Sequence, residues 1–194
     1  MAKLYFRYGT MDSAKTLNLL AVAHNYRGQG KRVALMKPGV DDRSGAARIA
    51  SRAGIEAEVD LLLEPDTVLE ADRLRELDCI LVDEAQFLSP GLVEQLRRIS
   101  QYQDVPVICY GLRTDFQTRL FPGARRLMEL ADSIEEVKVT CHYCNRKAIF
   151  NMRLCDGEPV GHGPQVQIGG NESYVPVCFR HYDDKLGLPA TADA

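Results

Sequence analysis

Tryptophan is absent from the 194 residues, and the aromatic share is 7%. No apolar run reaches the ~20 residues that a membrane-spanning helix needs. No charged-then-apolar leader precedes the first apolar run, Leu4-Tyr5-Phe6. The expectation is a cytoplasmic protein without a membrane partner. Charge of one sign is lacking too. The 24 basic and 27 acidic residues leave a net −3, which argues against a nucleic acid held by bulk electrostatics. Cysteine is sparse at six, and in a reducing compartment pairing into disulfides is not expected. What remains is an ordinary globular composition, long enough for one core domain and a small appendage.

Residues 8–16 organise the chain: Tyr8-Gly9-Thr10-Met11-Asp12-Ser13-Ala14-Lys15-Thr16. A Gly, four residues, a small residue and Lys-Thr follow an apolar run and precede an amphipathic one. Strand, turn and helix form the context of a phosphate-binding P-loop. Backbone N–H groups of such a turn converge on phosphate oxygens, and the helix beginning near Lys15 adds the positive end of its dipole. Lys15 can reach β- and γ-phosphates, and the Thr16 hydroxyl can ligate Mg²⁺. Ala14 stands where Gly is usual. At a helix start with φ < 0, as expected here, Ala is harmless; at φ > 0 it costs about 1–2 kcal/mol. The bland alternative is a plain strand-to-helix turn.

Further along, Leu17, Leu20, Ala21 and His24 recur at helical spacing, and Gly28-Gln29-Gly30 ends that helix. His24 reads as a packed or surface residue. A strand over 32–36 completes a β-α-β opening, so a parallel sheet is expected. Residues 37–55 show weak periodicity and contain Asp41-Asp42-Arg43. They read equally as a solvated loop or as an arm bringing Arg43 to the phosphates. A strand over 59–63 and a helix capped by Asp66 and running to about residue 77 are expected next.

Cys79-Ile80-Leu81-Val82 is fully apolar, as a buried parallel strand should be. It ends in Asp83-Glu84-Ala85-Gln86-Phe87. An acidic pair at a buried strand's end suits a Walker B role, with Asp83 on Mg²⁺ and Glu84 as a base. Ser89-Pro90 starts a helix with Leu92, Val93, Leu96 and Ile99 as its buried stripe. After a strand over 105–110 comes Leu112-Arg113-Thr114-Asp115-Phe116, with Phe121 beyond. A loop at a strand's C-terminal end is where α/β folds bind ligands. The two phenylalanines could stack on a ring, but docking the loop onto the core is the simpler reading. A helix over 122–131 and a strand over 134–140 close this part. Cys79 and Cys109 read as buried small hydrophobes, and Cys155 has no evident role.

From Cys141 the character changes. Cys141-His142-Tyr143-Cys144 gives CxxC and Cys178-Phe179-Arg180-His181 gives CxxH, with strand-like stretches at 147–154 and 165–168 between them. Two such knuckles make a zinc ribbon, closed and structural, with ligands Cys141, Cys144, Cys178 and His181. His142 could replace His181, but the paired spacing favours His181. A redox CxxC would need a thioredoxin-like setting, which is missing. Gln165-Val166-Gln167-Ile168-Gly169-Gly170 lets backbone come close to a ligand that Tyr174 could cover, or is a plain hairpin turn. His162 reads as loop surface.

In order and combination these motifs resemble the type II thymidine kinases over nearly the whole chain. The resemblance implies an α/β fold: a RecA-like P-loop parallel sheet with helices on both faces, plus a small zinc-ribbon (lasso) domain. The division would fall at 1–140 and 141–194. It implies transfer of the γ-phosphoryl of ATP to the 5′-hydroxyl of thymidine, a nucleoside-salvage reaction, with Glu84 taking the proton. Gly9 to Thr16, Asp41, Asp42, Arg43 and Asp83 to Gln86 would line the ATP site, with Thr16 and Asp83 on Mg²⁺. Phe116 would stack on thymine near Met11, Phe87, Leu112 and Phe121. Gln165, Val166, Gln167, Ile168 and Gly169, with Tyr174, would close over the nucleoside. A homotetramer inhibited by dTTP is also implied. The other reading these residues allow is a non-kinase P-loop protein, a nucleotide-dependent binding module with a zinc ribbon.

Overall fold

The computed structural model describes residues 1–41, 47–165 and 174–188. Asp42, Arg43 and the 166–170 stretch therefore lie outside the described residues. The chain opens with β1 (Leu4–Tyr8), crosses through α1 (Lys15–Gly28) to β2 (Val33–Pro38), and makes an antiparallel hairpin of β3 (Arg48–Ala50) and β4 (Glu56–Glu58). There follow β5 (Leu61–Leu63), the single-turn α2 (Ala71–Leu74), β6 (Cys79–Val82), a 3₁₀ turn (Ala85–Phe87) and α3 (Pro90–Tyr102). Then come β7 (Val107–Gly111), α4 (Pro122–Leu130) and β8 (Ser133–Glu136). The last elements are β9 (Phe150–Cys155), β10 (Glu158–Pro159), β11 (Tyr174–Val177) and α5 (Phe179–Leu186).

Six strands form one sheet in the order β5-β2-β6-β7-β1-β8, and every neighbouring pair is parallel. Helices cover both faces, which is why β6 and β7 are apolar without alternation. Leu19, Leu20 and Ala23 of α1 pack with Leu35, Leu81, Ile108 and Tyr110 on one face. Leu92, Val93, Leu96 and Ile99 of α3, with Ala124 and Leu127 of α4, pack with Phe6, Met36, Val82 and Cys109 on the other. Parallel strands all end on one side, so Tyr8, Pro38, Val82 and Gly111 deliver their following loops to a common edge. Cys79 and Cys109 are buried, and burial pushes the Cys79 thiol up to about 12, so both act as inert hydrophobes.

Ser89 caps α3 as its sequence predicts, its hydroxyl accepting from the Leu92 N–H at 3.3 Å with Pro90 at the first position. The helix expected over 66–77 shrinks to Ala71–Leu74, and Asp66 does not cap it. The reason is tertiary. Gln95 of α3 accepts from the Leu69 N–H and donates to the Thr67 carbonyl, and the Ser89 hydroxyl donates to the Pro65 carbonyl, so this backbone is bonded to α3 instead. Within α1 the buried face is Leu19, Leu20 and Ala23; Ala21 and His24 are exposed. The strand expected over 134–140 stops at Glu136, because β8 pairs only with β1 at the sheet's edge. Part of the stretch expected to be loop, 37–55, instead contributes β3 to the small hairpin.

The second sheet, in the order β10-β9-β11, is antiparallel. It packs with α5 around Cys141, Met152, Val177, Cys178 and Tyr182. The Tyr182 hydroxyl donates to the Phe116 carbonyl at 2.7 Å, joining this sheet to the loop after β7.

Candidate functional site

The turn between β1 and α1 is drawn tight by its own side chains. The Ser13 hydroxyl donates to the Thr10 carbonyl at 2.8 Å, and the Lys15 ammonium donates to that same carbonyl at 2.7 Å and to Ser13 Oγ at 3.2 Å. Lys15 is thereby folded over the loop. Gly9 is required, because a Cβ there would overlap the Val137 carbonyl oxygen and the Ser13 side chain. No side chain caps the start of α1, and no acid sits in its first turn. That leaves its N-terminus suited to an anion. The buried Thr10 hydroxyl has no hydrogen-bond partner among the described residues, an orphan a bound group could satisfy.

Ala14 departs from expectation. It sits at φ 57°, ψ 27°, in the left-handed region, not at φ < 0. The turn holds this conformation just before the helix, so Ala14 carries the cost of about 1–2 kcal/mol that a Gly would avoid. Asp12 is also left-handed, at φ 62°, and pairs with Arg52 from the turn after β3.

At the end of β6, Asp83 is buried, and its carboxylate accepts from the Thr16 hydroxyl at 3.0 Å. Burial pushes the Asp83 carboxyl up to about 7. The Glu84 charge adds to the rise, while the Thr16 hydrogen bond and Lys15 oppose it. A buried carboxylate destabilised in this way is matched to a cation, so the Thr16–Asp83 pair fits Mg²⁺. Glu84 adopts φ 48°, ψ 37°, a left-handed conformation that is costly for a non-glycine residue and recurs at functional sites. Its Oε2 accepts from the Gln86 amide at 2.5 Å, and Gln86 Oε1 accepts from the Leu112 N–H at 2.9 Å. Asp41 is buried against the fully buried Lys37, with 3.5 Å between carboxylate and ammonium.

The loop after β7 is organised by Asp115, a residue the sequence reading did not single out. Its Oδ1 accepts from the Gln117 and Arg119 N–H groups, and its Oδ2 accepts from the Gln165 amide, each at 2.9 Å. An Asp two residues before its N–H partner is a recognisable turn signal. Phe116 and Phe121 are buried, as the docking reading expects. Phe121 meets Phe87 edge-on at 5.6 Å between ring centres. The Arg153 guanidinium lies over the Phe116 ring at 5.2 Å. Tyr174 is half-buried beside Arg153 and Asp115, and burial pushes its hydroxyl pKa up. Asn151 of β9, buried and also not anticipated, accepts from the Met11 N–H at 2.8 Å and ties the second sheet to the P-loop. An Asn inside a strand gives no local signal of such a role.

Cys141, Cys144, Cys178 and His181 bring their ligand atoms within 4.8 Å of one another. Cys144 and Cys178 sulfurs are 3.9 Å apart, and His181 Nδ1 is 3.4 Å from Cys141 Sγ and 3.5 Å from Cys178 Sγ. A zinc tetrahedron has S–S edges of ~3.8 Å and S–N edges of ~3.5 Å, so the four fit a structural zinc. Burial pushes the Cys141 thiol up. Hydrogen bonds from the Cys178, Tyr143 and Cys144 N–H groups and the His181 side chain outweigh this and bring it down to about 6, favouring the thiolate a metal needs. His181, not His142, completes the cluster.

The structure thus links Thr16 of the P-loop helix to Asp83, Glu84 to Gln86, and Gln86 to Leu112. Gln165 meets Asp115 in the loop that carries Phe116. Among the described residues, no helix is long and apolar enough to cross a membrane. The family model for thymidine kinase matches residues 2–182. A thymidine kinase from Lactobacillus acidophilus is 47% identical over 192 residues, covering 94% of this chain and 96% of that one. One from Lactococcus lactis subsp. lactis is 47% identical over 186 residues, covering 94% and 97%. A Pif1 helicase structure from Candida albicans matches 70% of this chain and 36% of its own at TM-score 0.44 and 14% identity, a likeness too slight to carry an argument.

Proposed function

The chain belongs to the thymidine kinase family and carries its activity, and on that premise we propose how its residues divide the work. The reaction is transfer of the γ-phosphoryl of ATP to the 5′-hydroxyl of thymidine, giving dTMP and ADP. The reading of a nucleotide-dependent binding module is thereby set aside. The observation that supports the phosphoryl half is the Thr16–Asp83 hydrogen bond across the P-loop and β6. It sets Glu84, the next residue, beside the place where phosphates would lie.

Phosphates would be held by the N–H groups of the Gly9–Thr16 turn and the start of α1, with the Lys15 ammonium turning from the Thr10 carbonyl to a phosphate oxygen. Mg²⁺, which Thr16 and Asp83 would hold, supplies positive charge to the phosphates when bound. Glu84 accepts the proton of the attacking 5′-hydroxyl. Arg43, which the family pattern assigns to developing charge, and Asp42 lie outside the described residues, as do Val166 to Gly169. Asp41, buried against Lys37, would line the ATP site. Thymine would lie over Phe116 in place of the Arg153 guanidinium, near Met11, Leu112, Phe87 and Phe121. Residues 141–194 act as a lid domain, closing Gln165–Gly169 and Tyr174 over the nucleoside. Zinc is structural, since four protein ligands leave no open position. A cytoplasmic homotetramer inhibited by dTTP completes the reading. Thymidine-dependent release of ADP by the purified protein tests it; ADP release indifferent to thymidine would overturn it.

A further inference from the structure

Gln86 is 1% exposed, yet both ends of its amide are used. Nε2 donates to Glu84 Oε2 at 2.5 Å, and Oε1 accepts from the Leu112 N–H at 2.9 Å. The backbone around it is shaped for this. The left-handed Glu84 turns the chain so that side chains 84 and 86 meet. Residue 111 must be glycine: a Cβ there would lie 2.6 Å from Gln86 Oε1 and 3.0 Å from Gln86 N. On the opposite side, a Cβ on Gly123 would lie 2.7 to 2.8 Å from the Ala85, Gln86 and Leu88 carbonyl oxygens. The 3₁₀ turn is therefore packed closely between the end of β7 and the first turn of α4, with Gln86 buried in it.

We propose that Gln86 is the positioning residue that aims Glu84 and couples it to the nucleoside loop. The proposal rests on the reading of Glu84 as the base. The amide holds Oε2 and so biases the direction in which the carboxylate points. The same amide is bonded to the backbone of Leu112, which begins the loop carrying Phe116. Movement of that loop is thus transmitted through one side chain to the base. One amide donor and the amide oxygen are engaged inside the protein, which is what an orienting role requires. Misplacing a catalytic group by about 1 Å can cost about 100-fold in rate.

The test is a double-mutant cycle in steady-state kinetics on the intact enzyme: parent, Gln86→Met, Glu84→Gln and the double variant. Gln86→Met keeps length and volume without the amide. Its kcat should fall about 10–100-fold with the ATP KM nearly unchanged. In the Glu84→Gln background the same substitution should cost clearly less kcat, because the part of its effect that runs through Glu84 is already gone. Parental kcat in Gln86→Met, or an equal loss in both backgrounds, overturns the proposal. Should Gln86→Met fail to fold, Gln86→Glu keeps the acceptor for Leu112 and sets a second carboxylate against Glu84. It should lose at least as much kcat, and parental kcat there overturns the proposal. Near-parental kcat in Glu84→Gln alone identifies the base assignment as the failure, and removes this proposal with it.

Discussion

The two sheets of this molecule hold together for different reasons. The six-stranded sheet is covered on both faces, and strands such as Cys79–Val82 are fully buried. Apolar burial at roughly 25 cal/mol per Å² is its main support. The β9–β11 sheet has far less to bury. Of its five core residues two are the ligand cysteines, leaving Met152, Val177 and Tyr182. A core so small does not usually stand alone, and a structural metal is the usual supplement. The difference teaches a division of labour. The large sheet can carry strained, polar groups such as Ala14, Asp83 and Glu84 at its edge without unfolding. The small sheet is the one expected to lean on the four-ligand cluster for its order.

The largest break in that comparison on the catalytic side is Glu84→Gln. It keeps shape and removes the proposed base, so kcat should fall about 10²–10⁴-fold while thymidine still binds. A variant with near-parental kcat removes Glu84 from the role. Next come paired core truncations. Leu81→Ala, in the large sheet, should cost about 2–5 kcal/mol of global stability. Met152→Ala should leave the global denaturant midpoint nearly unchanged and speed amide exchange only in β9–β11. Equal shifts of the global midpoint would mean that the sheets unfold as one.

Phe116→Ala sharpens the nucleoside side. Loss of stacking on a base is worth about 1–3 kcal/mol, so the thymidine KM should rise while the ATP KM stays nearly constant. If Phe116 only anchors its loop, the melting temperature falls and neither KM moves selectively. The smallest expected effect is Ala14→Gly. Relief of the left-handed alanine should stabilise the protein by up to ~1 kcal/mol, after the entropy that glycine gives back. A lower melting temperature would show that Ala14 is not strained.

Much of the fold was legible because it is written locally. The P-loop spacing, the apolar run before Asp83, the Ser89-Pro90 cap and the paired CxxC and CxxH each depend on residues close in sequence. What could not be read depends on partners far away. The helix over 66–77 yields to Gln95 and Ser89 of α3. Ala14 takes its conformation from the loop it closes, not from its own preference for helix. Asn151 meets Met11 across the chain, and Gln86 finds Leu112 only because β6 and β7 are neighbours. The candidate groups were named from the sequence, whereas the hydrogen bonds that link them, such as Asn151 to Met11 and Gln86 to Leu112, were not.

The division between the sheets is tested most directly by titrating thymidine and ATP separately into zinc-loaded and metal-stripped protein. Zinc held by Cys141, Cys144, Cys178 and His181 would fasten both ends of the chain between the two knuckles and lower the cost of ordering it. Stripping should therefore weaken thymidine binding severely. ATP binding should lose only what the Asn151–Met11 hydrogen bond lends the P-loop, about 1 kcal/mol. Metal-stripped protein that binds thymidine as tightly as the zinc-loaded form would contradict the account.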